Sequence, residues 1–88
     1  MKVQNKVMVV TGGGNGMGRE IVLNLLSKGA KVAAVDINAA ALLETEKLAG
    51  EKAKDLAVFV LNITDKAAVE ALPAKVIERF GAVDGLIN

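Results

Sequence analysis

"TGGGNGMGRE", Thr11 to Glu20, sets five glycines within the eight positions Thr11 to Gly18, directly after the apolar run Val7, Met8, Val9, Val10. Glycine belongs where the backbone takes positive φ or where something must come very close to the main chain. A glycine-rich turn that leaves a strand and opens a helix meets both conditions for an anion. The helix start offers unpaired N–H groups and a positive dipole, and missing side chains let a pyrophosphate approach. A nucleoside-triphosphate P-loop would need Lys and then Ser or Thr after its last glycine, whereas Gly18 is followed by Arg19 and Glu20. The spacing G-x-G-x-x-G is also absent in every register from Gly12 to Gly18, and the pattern present is T-G-x-x-x-G-x-G, on Thr11, Gly12, Gly16 and Gly18.

Outward from this loop the chain alternates. Four short runs rich in β-branched residues, Val7 to Val10, Val32 to Val35, Val58 to Leu61 and Val83 to Ile87, lack polar and apolar alternation, as strands buried on both faces do. Helical spacing fills the gaps. In the first helix Met17, Ile21, Val22, Leu25 and Leu26 share a face, and Gly29 follows the last turn. The second is predicted from about Ala39 to Glu51, capped by Asn38, with Leu42, Leu43 and Leu48 inward. The third is predicted after a Thr64 cap, with Ala68, Val69, Leu72, Val76, Ile77 and Phe80 inward and a kink at Pro73, which has no N–H to donate. The order β-α-β-α-β-α-β, four strands and three helices, predicts an α/β fold with a doubly wound parallel sheet and right-handed crossovers.

Composition narrows the chemistry. Of 88 residues 52% are apolar and only Phe59 and Phe80 are aromatic, so the core must be aliphatic. Eleven basic and ten acidic residues are interspersed, which argues against a nucleic-acid partner. No apolar stretch approaches the roughly 18 residues of a membrane helix, and residues 1–6 do not read as a signal peptide, so no membrane is expected and a soluble, cytoplasmic protein is. Cys, His and Tyr are absent and Ser27 is the sole serine. No metal site and no hydrolytic nucleophile and base pair can be assembled, which leaves binding as the expected task.

The T-G-x-x-x-G-x-G spacing resembles the cofactor motif of the short-chain dehydrogenases and reductases, and three further features fall in the same order over all 88 residues. Asp36 closes the second strand, where an acidic residue can accept from both hydroxyls of an adenosine ribose and repel the extra phosphate of NADP. Its neighbours Ile37 and Asn38, and Asn15 in the loop, carry no positive charge, so NAD is expected over NADP. "LNITD" ends the third strand with Asn62 and Ile63, where the family has an Asp and an apolar residue that contact adenine; Asn62 departs from that pattern. "VDGLIN", Val83 to Asn88, is similar to the strand entering the family's Asn-Asn-Ala-Gly motif, cut after its first Asn.

The resemblance implies that residues 1–88 are the N-terminal part of a single NAD(P)-binding Rossmann domain, truncated inside the Asn-Asn-Ala-Gly-like region. Gly12, Asn15, Gly16, Met17, Gly18, Asp36, Ile37, Asn62, Ile63 and Asn88 are then the expected cofactor-binding residues. The parent is expected to be an NAD-dependent oxidoreductase acting on CH–OH groups of a small alcohol or carbonyl substrate, and a homo-oligomer. The family's catalytic Ser, Tyr and Lys would lie beyond Asn88, so no catalytic residue is assigned and the segment alone is expected to be inactive. Two other readings stay open: a non-catalytic nucleotide-binding module and a binding-inert folding fragment. At single residues, Thr11 is expected to orient the loop through backbone bonds, Asn62 can instead turn the chain, and Arg19 is either solvated or a phosphate contact.

Overall fold

A computed structural model describes residues 2–88. The alternation predicted above is present: β1 (Val7–Thr11), α1 (Gly16–Ser27), β2 (Lys31–Asp36), α2 (Ala39–Ala49), a 3-10 helix (Gly50–Asp55), β3 (Leu56–Val60), α3 (Lys66–Phe80) and β4 (Gly85–Ile87). All pairings are parallel and the sheet order is β3-β2-β1-β4. Val7 pairs with Lys31 and Val32 with Leu56, while Val9 pairs with Leu86 on the opposite side of β1.

The uniform apolar runs are explained by two covered faces. Met8, Val10, Val32 and Ala34 point to one side and join Val22, Leu25, Leu26 and Leu42 of α1 and α2. Val7, Val9, Ala33 and Val35 point to the other and meet Leu72 and Val76 of α3. Successive strand residues therefore enter opposite cores, and every buried strand residue is apolar. Because α1 and α2 cover one face and α3 the other, the chain reverses its winding direction between β1 and β4. Loops leaving those two strands diverge, and a crevice opens at their carboxyl ends.

Caps set the helix ends. The Gly29 amide donates to the Leu26 carbonyl and the Ala30 amide to the Leu25 carbonyl, with Gly29 at φ 87°, which is the Schellman ending of α1. Asn38 caps α2 as expected, its side-chain oxygen accepting from the Ala41 amide at 2.9 Å. At α3 the cap is Asp65, not Thr64: Asp65 accepts from the Ala68 amide, while the Thr64 hydroxyl donates to Asn62.

Packing corrects several helix positions. Met17 is 78% exposed, because it stands in the first turn of α1, at the rim of the crevice and beyond the buried Val22, Leu25 and Leu26. In α2 the inward face is Leu42 and Thr45; Leu43 and Leu48 are 56% and 55% exposed. Helix α2 ends at Ala49 and tightens into the 3-10 helix, where the sequence pattern ran on to Glu51. Val69 and Ile77 are exposed on α3, which buries Leu72 and Val76 alone in full. Pro73 does not interrupt that helix, which is continuous from Lys66 to Phe80; the residue is exposed, so the carbonyl it leaves unpaired can reach water. Strand β3 begins at Leu56 and ends at Val60, ahead of its predicted span, and β4 shortens to Gly85–Ile87. No helix among the described residues is long and apolar enough to cross a membrane.

Candidate functional site

The loop between β1 and α1 carries two kinds of glycine. Gly12 and Gly16 are exposed and hold φ of 71° and 49°, the left-handed region that side chains disfavour. Gly14 and Gly18 are needed for close approach. A Cβ on Gly18 would run into the Gly12 carbonyl, and one on Gly14 would stand 2.8 Å from Asp36 Oδ2 and 2.9 Å from Ala41 Cβ. The loop is thus folded back on itself and pressed against β2 and α2.

At the start of α1 the first intrahelical bond runs from the Arg19 amide to the Asn15 carbonyl at 3.1 Å. The amides of Gly16, Met17 and Gly18 precede it and are the donors a helix start leaves to a ligand. Asn15 adopts the extended cap conformation, but its side chain makes no capping bond and is exposed. The side chain that would compete with an incoming anion for those amides is turned elsewhere.

Asp36, at the end of β2, reaches back to this loop. Its Oδ2 accepts from the Gly14 amide at 3.0 Å and its Oδ1 from the Asn38 amide at 3.1 Å. A carboxylate has about four acceptor positions, so two amide bonds leave capacity for the hydroxyls of a ligand. Ile37 beside it is 64% exposed.

Between β1 and β4 lies a crevice of about 250 Å³, lined among others by Thr11, Gly12, Asn15, Met17, Gly18 and Asn88. Its position is the divergence point of the two windings. Five of the ten expected cofactor residues, Gly12, Asn15, Met17, Gly18 and Asn88, meet there. On the opposite face of the same two strands a more apolar cavity of about 330 Å³ is lined by Leu61, Ile63, Leu72, Pro73 and Leu86, with Thr11 and Asn88 as its polar edge. Ile63 belongs to this second cavity. Thr11 and Asn88 separate the two, and the Thr11 hydroxyl lies 3.1 Å from Asn88 Oδ1 and 3.4 Å from the Ile87 carbonyl.

Thr11 therefore ties β1 to β4, and its expected bond within the loop is absent among the described residues. Asn62 lines neither space. Its Oδ1 accepts from the Thr64 amide at 2.9 Å and the Thr64 hydroxyl at 2.7 Å, an Asx turn that bends the chain toward α3. Arg19 is partly buried and donates to Thr45, to the Gly14 carbonyl and to the Ala41 carbonyl. Sequence reasoning missed Thr45, which is fully buried with its hydroxyl 3.0 Å from the Gly13 carbonyl. A threonine in place of an aliphatic residue at the helical spacing of Leu42 was the available signal. Among the described residues no three His, Cys, Asp or Glu side chains gather as a metal site would require.

The geometry can hold an anion at the helix start, a hydroxyl-bearing group at Asp36 and a flat group along the divergence of the sheet. Comparison with known proteins gives the same direction. The short chain dehydrogenase family model matches residues 6–88. Levodione reductase of Leifsonia aquatica is 37% identical over 86 residues, covering 96% of this chain and 32% of that protein. The 2,3-dihydroxy-2,3-dihydro-p-cumate dehydrogenase of Pseudomonas putida is 38% identical over 89 residues, covering 100% of this chain and 34% of that protein. Among solved structures, NAD+-bound xylitol dehydrogenase superposes with a TM-score of 0.89 at 32% identity, over 98% of this chain and 33% of its own. The chain spans about a third of the length of the curated relatives it matches.

Proposed function

The chain belongs to the short chain dehydrogenase family, and from that premise we propose that it is the adenosine- and pyrophosphate-binding part of an oxidoreductase that uses NAD in preference to NADP. The four-stranded parallel sheet with its three helices is the N-terminal portion of the Rossmann-type fold shared with these relatives. The observation that carries the reading is the Asp36 carboxylate held against the Gly14 amide. It brings a hydroxyl acceptor and a phosphate-ready glycine turn together across 22 residues of sequence.

The residues present suit the dinucleotide. The amides of Gly16, Met17 and Gly18 would face the pyrophosphate, with Gly12 clearing its approach. Asp36 would accept from the ribose hydroxyls, and its charge would repel a phosphate on the same ribose. Asn15 and Asn88 would border the ligand in the crevice, with Ile37 flanking the ribose and Ile63 available as an apolar surface for adenine. Asn62 would serve mainly through the turn that places Ile63. When bound, the nicotinamide supplies the site that gives or takes a hydride. This segment provides binding and orientation; it has no Tyr and no His to move a proton at the substrate.

In the intact protein the substrate is proposed to be a small alcohol or its carbonyl counterpart, as the names of the relatives suggest. Calorimetric titration of the intact protein with NAD and with NADP tests the cofactor reading. Tighter binding of NAD supports it; equal or tighter binding of NADP removes the assigned role of Asp36, and binding of neither removes the nucleotide reading itself.

A further inference from the structure

Beneath the glycine loop, polar contacts stand where core packing alone would favour aliphatic side chains. Thr45 is the only buried polar residue among those described, at 0% exposure on the inward face of α2. A hydroxyl buried there is costly unless it is bonded, and each bond it makes leads to the loop or to what holds the loop. It lies 3.0 Å from the Gly13 carbonyl and 3.2 Å from the Ala41 carbonyl, and it accepts from Arg19 Nε at 2.9 Å. Arg19 then spends its Nη2 on the Gly14 carbonyl at 2.5 Å and the Ala41 carbonyl at 3.1 Å. No carboxylate lies within ion-pair distance of Arg19 among the described residues, so the guanidinium is used as a geometric fork for neutral acceptors.

The consequence is that two successive loop carbonyls are gripped from α1 and α2, while the Gly14 amide is gripped from β2 by Asp36. Gly13 and Gly14 are the buried centre of the loop, and the exposed Gly12 and Gly16 flank them. We propose that Thr45 and Arg19 are positioning residues for the dinucleotide: they fix the Gly13–Gly14 backbone, and through it the glycines on either side and the Asp36 carboxylate, before ligand arrives. The inference rests on the cofactor reading above. Its physical basis is preorganisation, since a loop already fixed by protein contacts need not be ordered at the expense of binding.

The test is calorimetric titration of the intact protein with NAD, at a temperature well below the melting point of each ligand-free variant, for wild type, Thr45→Val, Thr45→Ser and Arg19→Lys. Valine keeps the shape and loses the hydroxyl; lysine keeps the charge and loses the fork. Valine and lysine variants are expected to raise Kd about tenfold while fully folded, and the serine variant to stay within about twofold of wild type. A merely structural role would lower the melting point and leave Kd unchanged in the folded protein. Folded Thr45→Val or Arg19→Lys that binds NAD as tightly as wild type overturns the inference, as does a serine variant as weak as valine. If Thr45→Val does not fold, Arg19→Lys and Thr45→Ser decide alone. Failure of the wild type to bind either NAD or NADP removes the cofactor reading and this inference with it, whereas wild-type binding with undiminished variants removes the inference alone.

Discussion

Asp36 shows how much one side chain does in this loop. Its two oxygens already hold the Gly14 and Asn38 amides, so Asp36→Ala should both remove a ribose acceptor and loosen the turn. The expected outcome is weaker NAD binding by about 1–3 kcal/mol and a narrower gap between NAD and NADP; unchanged NAD affinity by calorimetry would take Asp36 out of the site. Gly18 gives a second residue-level prediction. Its Cβ space is filled by the Gly12 carbonyl, which is backbone and cannot step aside. Gly18→Ala is expected to lower stability by about 1–3 kcal/mol through overpacking and to weaken NAD binding further than that loss of fold accounts for. Thermal melting and titration separate the two effects. Both residues were legible in the sequence, because motif spacing names them directly. Thr45 and the contacts of Arg19 were not, since Arg19 meets the Thr45 hydroxyl 26 residues away, and the carbonyls that the two side chains reach lie 22 and 32 residues away or across a turn.

Among the elements, α2 separates what periodicity can and cannot say. Its apolar residues allow more than one inward face, and the face chosen is the one that brings Thr45 to the Gly13 carbonyl and Leu42 to full burial. Leu42→Ala is accordingly expected to cost about 2–5 kcal/mol, and Leu43→Ala, on the exposed side, under about 1 kcal/mol. Denaturant midpoints for the pair measure the register directly, and equal losses would contradict it. In α3 the missing N–H of Pro73 leaves one helical bond unmade in a continuous, solvent-facing stretch. Pro73→Ala is expected to raise stability by about 1–3 kcal/mol, because alanine restores that donor. An unchanged or lower melting point would mean that ring packing at the edge of the apolar cavity outweighs the lost bond.

Across the whole molecule, stability should be graded along the sheet. Residues Val32 to Val35 of β2 are fully buried between two strands and two helix layers, whereas β4 has three residues, pairs with β1 alone among the described strands, and leaves Leu86 60% exposed. Amide exchange of the 88-residue chain is expected to be slowest in β2 and, among the strands, fastest in β4; comparable protection of both would refute the gradient. The sequence by itself determined the order of strands and helices, the α/β class, the glycine turn and the acidic residue that closes the second strand. These are local: they follow from which residues lie a few positions apart and from what glycine, proline and β-branched side chains permit. Only the tertiary structure decided which face each helix turns inward, that Asp65 and not Thr64 caps α3, that Thr11 and Asn88 divide two cavities, and that Thr45 and Arg19 grip the loop. Those outcomes depend on satisfying buried polar groups between segments far apart in the chain, a condition that exists only once the layers have packed.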